Sequence, residues 1–342
     1  MPTPSSAPVQ VLYFVGTGRS GTTIVNSVLG QVPGCFAAGE LRYLWQRGVG
    51  EDHRCGCGLP FSRCPTWQAV MGCLRAGGAV ADEPAVGRRL LRRLRILNIP
   101  SMLLRRTLRL PAVPPTADDA TIGRLYRAVA EVTGAALVVD SSKLPTYALL
   151  LDEMPDVEVT FVHLVRDPRA TAFSWRRHKP SGDRDDGALM QRQPLWKSSL
   201  LWSLWNLLTV VLWPDRRARL LRVRYEDFVE APREVMARIC ALTGLDPADL
   251  PFVADRVVRL GPTHAVAGNP NRHDSGLVEL RADDEWRSAM RPSDRLLATL
   301  LTAPGLIRFG YPLRVPPAPR AAVPARPARS TTPQHNTQGG QV

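Results

Sequence analysis

The sequence predicts an α/β fold with a mainly parallel central sheet flanked by helices. Residues 11–15, VLYFV, form a run of β-formers behind a polar Pro/Ser leader, the pattern of a strand buried on both faces. Apolar runs at 135–139 and 157–165 repeat the theme, each followed by a polar turn and a stretch with helical spacing. A chain of 342 residues with 44% hydrophobic residues can enclose one large core.

The first strand runs into Gly16-Thr17-Gly18-Arg19-Ser20-Gly21, and Thr22 and Thr23 then open a helix carrying Ile24, Val25, Val28 and Leu29. Strand, glycine-rich turn and helix N-terminus together make an anion site, because free N–H groups and the helix dipole favour negative charge. The frame is that of a P-loop, but Thr22 stands where the lysine should be. That lysine reaches the β- and γ-phosphates, so its loss argues against an ordinary ATPase or kinase. Arg19 supplies the cation from inside the loop, leaving Gly18, Arg19, Ser20, Gly21, Thr22 and Thr23 as candidate anion-binding residues. An ordinary βα turn is the plain alternative. GTGRSGTT after a hydrophobic strand resembles the 5′-phosphosulfate loop of the PAPS-dependent sulfotransferases, PAPS being 3′-phosphoadenosine 5′-phosphosulfate.

Residues 35–42 form a short apolar segment ending in a carboxylate, Glu40. Groups just past strand ends face the ligand crevice of such sheets. Glu40 is therefore a candidate general base, the alternative being a surface pair with Arg42. Gly39-Glu40-Leu41-Arg42 is similar to a G-E-x-R element of the sulfotransferase branch that includes the tyrosylprotein enzymes, whose Glu is the base. Next come Cys55, Cys57 and Cys64 with His53 beside them. Their C-x-C-x6-C spacing lacks a paired zinc knuckle, so a disulfide or free thiols are expected and no metal. From Arg88 to Arg109 eight arginines alternate with leucines and isoleucines around Pro100. One or two basic amphipathic helices, serving as lid, membrane-surface patch or solvated face, fit this pattern. Residues 111–115 read as a linker.

A helix is expected over 121–133 and a second parallel strand over 135–139, ending in Asp140-Ser141-Ser142-Lys143. Lys143 is a point charge suited to a developing leaving-group oxygen, or else a surface lysine behind an N-cap. The element is similar to one in bacterial sulfotransferases whose lysine lies near the transferred sulfuryl group. The strand at 157–165 leads into Arg166-Asp167-Pro168-Arg169 and a helix holding Ser174. This resembles the family's 3′-phosphate element, which implies that Arg166 and Ser174 hold that phosphate; a structural Arg166–Asp167 pair is the alternative.

Residues 178–194 are polar and breaker-rich, a mobile loop on the acceptor side. A Trp-rich helix follows at 195–213, too short to span a bilayer and read as a core helix. A fourth strand at 220–223 leads to Tyr225-Glu226-Asp227, similar to a family element that places Tyr225 near the adenosine. A helix over 232–242 closes at Thr243-Gly244. Asn269 and Arg272, in a glycine-asparagine turn, resemble the loop that covers PAPS. A further helix is expected over 284–290, and the Pro/Ala/Arg-rich end from about 315 reads as a disordered tail.

The formal charge is +13, and the four arginines after Leu313 leave a body of about +9. Lysine is rare: Lys143, Lys179 and Lys197 are the only three. A basic body implies anionic partners, but no RNA-binding signature is present, so no nucleic acid is expected. The N-terminus has no charged or apolar signal region, which points to a cytoplasmic protein, with membrane association through residues 88–109 left open. The expected organisation is a leader at 1–8, one domain at 9–313 with an acceptor-side insertion at 43–116, and a tail at 314–342. The resemblance implies sulfuryl transfer from PAPS to a hydroxyl or amine of a small-molecule, glycan or lipid acceptor. Glu40 would be the base, and Arg19 and Lys143 would stabilise the transferred group without metal. A P-loop kinase-like enzyme, or a basic polyanion- or membrane-surface-binding protein, is the alternative.

Overall fold

The structure, a computed structural model, describes residues 7–78, 82–108, 116–183, 188–214 and 218–314. The expected linker at 111–115, the tail from 315, most of the leader and the middle of the 178–194 loop fall outside the described residues.

Five strands build the central sheet: β1 (Val9–Gly16), β2 (Cys35–Gly39), β3 (Leu137–Lys143), β4 (Val157–Val165) and β5 (Leu220–Arg224). Their order is β2-β3-β1-β4-β5, and every pairing is parallel. Val11 to Val15 are wholly buried because β1 is the central strand and both its faces are covered. Val11, Tyr13 and Val15 face one core with α5 (Ala117–Thr133) and α6 (Pro145–Asp152). Leu12 and Phe14 face the other core, with α1 (Thr22–Leu29) and α10 (Pro232–Thr243). The chain moves to one side of β1 for β2 and β3 and to the other for β4, so the crevice opens beyond the C-terminal end of β1.

The second strand and its motif merge. β3 continues through Asp140, Ser141, Ser142 and Lys143, where a turn had been expected after residue 139. Asp140 makes this possible: its carboxylate accepts the Ser142 N–H at 2.7 Å and the Tyr126 hydroxyl, so these polar residues are satisfied inside the sheet. α5 starts four residues earlier than expected, at a capping box in which Thr116 and Asp119 satisfy each other's backbone N–H groups.

The 43–116 region forms α2 (Pro65–Ala76), α3 (Glu83–Arg93) and α4 (Ile99–Thr107). Val70, Leu74, Leu90 and Ile99 join the same core as β1 and α5. The arginines are not a uniform solvated face: Arg89 forks onto Asp118 at 2.7 Å, Arg93 pairs with Asp119 at 2.5 Å, and Arg106 donates to the Leu212 carbonyl at 2.9 Å. Arg109 lies outside the described residues.

The remaining elements are α7 (Pro168–Arg176), α8 (Leu195–Leu212), α9 (Tyr225–Glu230), a small antiparallel sheet of β6 (Phe252–Ala254), β7 (Val257–Leu260) and β8 (Gly276–Glu279), α11 (Trp286–Ala289) and α12 (Pro292–Arg308). α8 is long and apolar enough to cross a membrane by length and composition. Here it packs against α12 and α7, and its Trp202 donates to the Arg166 carbonyl at 2.9 Å. The small sheet and α12 were not expected, and the helix foreseen at 284–290 shortens to the four residues of α11.

Candidate active site

The glycine-rich loop joins β1 to α1 through two left-handed residues, Arg19 (φ 66°) and Gly21 (φ 93°). At Gly21 glycine is required twice over, since a Cβ there would stand 2.3 Å from the Tyr225 ring. The Ser20 hydroxyl donates back to the Thr17 carbonyl at 2.9 Å and fixes the turn. Among the described residues no side chain caps α1, and its first turn carries no acid. Its leading N–H groups are thus left for an anion. Thr22 and Thr23 are buried in that first turn, and Thr23 Oγ1 accepts the Asn269 N–H at 3.4 Å.

Arg19 is turned out of the loop by its left-handed backbone. Its guanidinium lies 4.7 Å from the Trp175 ring centre and donates to Asn269 Oδ1 and to Met190 Sδ. Glu40 follows β2, and Lys143 ends β3. Their side chains form an ion pair at 2.6 Å, with 14% and 10% of the side-chain surface exposed. Lys143 is also left-handed, at φ 68°, and the register of β1 with β3 shifts between Tyr13 and Val15 to deliver it there. Its ammonium donates a second bond to the Ser141 carbonyl at 2.7 Å. Burial pushes the Glu40 carboxyl up, but the Lys143 ammonium and Arg42 guanidinium outweigh it and hold it below the ordinary carboxylate value. Burial pulls Lys143 down, with Glu40 opposing. Arg42 does not pair with Glu40 as a surface couple: its Nε donates to the Ser142 carbonyl at 3.2 Å, and it stacks 3.8 Å over Tyr43.

Glu40, Lys143, Arg19, Gly18 and Asn269 line one cavity of about 220 Å³. Its other wall brings Tyr43, Leu144, Leu201 and Trp205, with Gln191 and Gln193 from the 178–194 loop. Arg166, Ser174 and Tyr225 do not line that cavity. Arg166 Nη1 donates to the Arg19 carbonyl at 3.3 Å, so the two basic residues share one stretch of backbone. Its Nη2 reaches the Asp283 carbonyl at 3.0 Å, the guanidinium lies 4.7 Å from the Tyr225 ring centre, and its buried Nε has no partner among the described residues. Ser174 is buried on α7. Asp167 does not pair with Arg166: it caps α7 and forks onto Arg169 at 2.9 and 2.7 Å.

Arg272 is turned inward. Its guanidinium bonds Asp183, the Arg54 carbonyl at 3.1 Å and the Gly268 carbonyl at 3.3 Å, and 2% of the residue is exposed. These bonds place it behind the loop that carries Asn269. His53 lies outside the cavity lining, 2.9 Å from Glu51 and 3.5 Å from Asp183. Sequence reasoning missed Asp283, which binds both Arg166 and Arg177 and lies in the approach to α11. It also missed Trp175 as the platform under Arg19. Nothing in the spacing ties either to the P-loop; only an arginine in need of a carboxylate hints at the first.

Fold and site together define a P-loop-type α/β protein with an uncapped helix start at the head of its central strand and a carboxylate–lysine pair beside it. Residues 115–249 match the model of the sulfotransferase family. The match covers less than half of the 342-residue chain. The segment includes Lys143, Arg166, Ser174 and Tyr225, and excludes Arg19, Glu40, Asn269 and Arg272. The sulfotransferase domain from the curacin biosynthetic pathway shares the fold, with a TM-score of 0.51 and 19% identity, covering 90% of this chain and 100% of that one. The sulfotransferase domain of the Synechococcus PCC 7002 olefin synthase gives a TM-score of 0.48 and 21% identity, over 92% and 99% of the two chains. No protein of curated function matches the chain.

Proposed function

We propose that the protein moves a sulfuryl group from PAPS to a hydroxyl or amine of a small acceptor held in the cavity beside Glu40. The observation that carries this reading is the Glu40–Lys143 pair, 2.6 Å apart and lining the same cavity as Arg19. A base and two cations around one space are what sulfuryl transfer needs.

The donor's 5′ end fits the uncapped start of α1, and its 3′-phosphate fits the unpartnered Nε of Arg166. In the reaction an acceptor oxygen or nitrogen forms a bond to sulfur as the bond from sulfur to the bridging oxygen breaks. The acceptor's proton passes to Glu40, and the electron pair of the broken bond stays on the departing nucleotide. Lys143 and Arg19 offset the charge that builds on the bridging and sulfuryl oxygens, as in a loose in-line phosphoryl transfer. In the free protein Lys143 neutralises Glu40 and keeps it a weak base. Drawing Lys143 toward the donor would release the carboxylate and raise its proton affinity, so donor binding would arm the base. Asn269 would hold Arg19, and Arg272 the segment behind Asn269.

Mass spectrometry of a metabolite extract incubated with enzyme and PAPS tests the proposal. A product heavier by one sulfuryl group, formed with wild type and not with Glu40→Gln, is the expected outcome. A phosphorylated product formed with ATP instead would replace it with the kinase reading.

A further inference from the structure

Three cysteines and one histidine meet outside the cavity, and the transfer chemistry uses none of them. Cys55, Cys57 and Cys64 lie on the loop before α2, and His264 lies on the segment after β7. Their four ligand atoms all fall within 4.8 Å of one another. Cys64 Sγ is 3.3 Å from His264 Nδ1, Cys55 Sγ is 3.7 Å from the same nitrogen, and Cys57 Sγ is 3.8 Å from Cys64 Sγ. Zinc with ~2.3 Å bonds to sulfur and ~2.0 Å bonds to nitrogen spaces tetrahedral ligand atoms about 3.5–3.8 Å apart. All three thiols are free, so no disulfide competes for these atoms.

We propose that Cys55, Cys57, Cys64 and His264 form a structural zinc site. The spacing of the three cysteines had argued against a metal, and His53, their neighbour in sequence, faces Glu51 and Asp183 instead. The ligand that completes the set comes from 200 residues past Cys64, where no spacing rule reaches. Three thiolates and an imidazole are a soft donor set that favours zinc over magnesium or calcium. Four protein ligands leave no open position, so the metal would serve structure and not catalysis. Binding would release the three thiol protons and leave a centre of net charge −1.

The surroundings are built to hold these ligands. His264 Nε2 lies 3.3 Å from Thr66 Oγ1; with Nε2–H donating to that hydroxyl, the Nδ1 lone pair faces the sulfurs. The ring stacks on Phe36 at 6.4 Å with an interplanar angle of 11°. Trp67 Nε1 donates to the His264 carbonyl at 2.8 Å. Between the first two cysteines, Gly56 donates to the Ala265 carbonyl at 2.9 Å, and a Cβ there would stand 2.7 Å from the Thr263 carbonyl oxygen. Only glycine lets the two segments approach this closely. The zinc would therefore staple the 55–64 loop to the 263–269 segment, which ends at the Asn269 that holds Arg19.

Elemental analysis of the full chain, purified without chelator, tests the site. About one zinc per chain is expected, with most of it lost in Cys64→Ser and in His264→Ala and retained in Cys73→Ser. Should those variants fail to fold, cobalt(II) added to the metal-stripped wild type reads the ligands directly. Thiolate-to-cobalt charge transfer with tetrahedral d–d bands supports the proposal; a weak octahedral spectrum means an adventitious ion only and overturns it. A zinc-free chain whose melting temperature zinc does not raise, or a Cys57–Cys64 disulfide in the freshly purified protein, overturns it as well.

Discussion

Replacing Glu40 by Gln separates the base from the scaffold. The substitution keeps the shape and one acceptor oxygen facing Lys143, but it removes the proton acceptor. General-base catalysis is typically worth about 10²–10⁴-fold, so turnover at saturating PAPS should fall by that factor, a barrier increase of about 3–5 kcal/mol. The pair is nearly buried, with side-chain exposures of 14% and 10%, so the substitution also leaves the Lys143 ammonium without its counter-charge. Full rupture of a buried pair costs about 3–5 kcal/mol. Here the loss should be about 1–3 kcal/mol, because the amide oxygen still accepts a hydrogen bond and Lys143 keeps the Ser141 carbonyl. Each kcal/mol should lower the melting temperature by about 2–4 °C. Burial already pulls Lys143 below its ordinary value, and without Glu40 opposing it should fall further. Turnover, calorimetric titration with the desulfated product 3′-phosphoadenosine 5′-phosphate (PAP), and thermal melting on one preparation read all three effects. PAP affinity should hold within a fewfold. Near wild-type turnover would refute the base assignment, and loss of PAP binding together with turnover would make Glu40 a scaffold residue.

Two further outcomes are expected. Gly21→Ala should weaken PAP binding and lower the melting temperature, because the site is left-handed at φ 93° and the new methyl would stand 2.3 Å from the Tyr225 ring; unchanged melting and binding would show that Tyr225 moves freely. Asp140 is pushed up from 3.8 to about 6 by burial, against hydrogen bonds from Ser142 and Tyr126. A raised folded-state value means that its stabilising contribution is complete below pH 3.8 and is lost as pH rises through about 6. Denaturant titrations of wild type minus Asp140→Asn should therefore show a falling difference across that window, and a flat difference would contradict the shift.

The central strand was legible because its residues are buried on both faces and leave an unbroken apolar run, Val11 to Val15 of β1. Gly21 of the glycine-rich loop was legible because the turn needs left-handed backbone there. Lys143 was found as a residue, but not the strand that ends in it, since the carboxylate of Asp140 satisfies its polar neighbours inside the sheet. The helix Pro292–Arg308 was hidden by Pro304 in its interior, a residue that ordinarily marks a break. His264 and Asp283 could not be read at all, because their partners are joined by the fold and share no local pattern.

The central claim is a donor with a 3′-phosphate, and the comparison of PAP with ADP tests it most directly. The two share an adenosine and two phosphates, and differ in where the second phosphate sits. Isothermal titration of the wild type should give PAP at least about tenfold tighter than ADP, roughly 1.4 kcal/mol or more, and Arg166→Ala should erase that preference. Equal affinities for the two nucleotides would contradict the donor assignment, and a preference for PAP that survives Arg166→Ala would contradict the role given to Arg166.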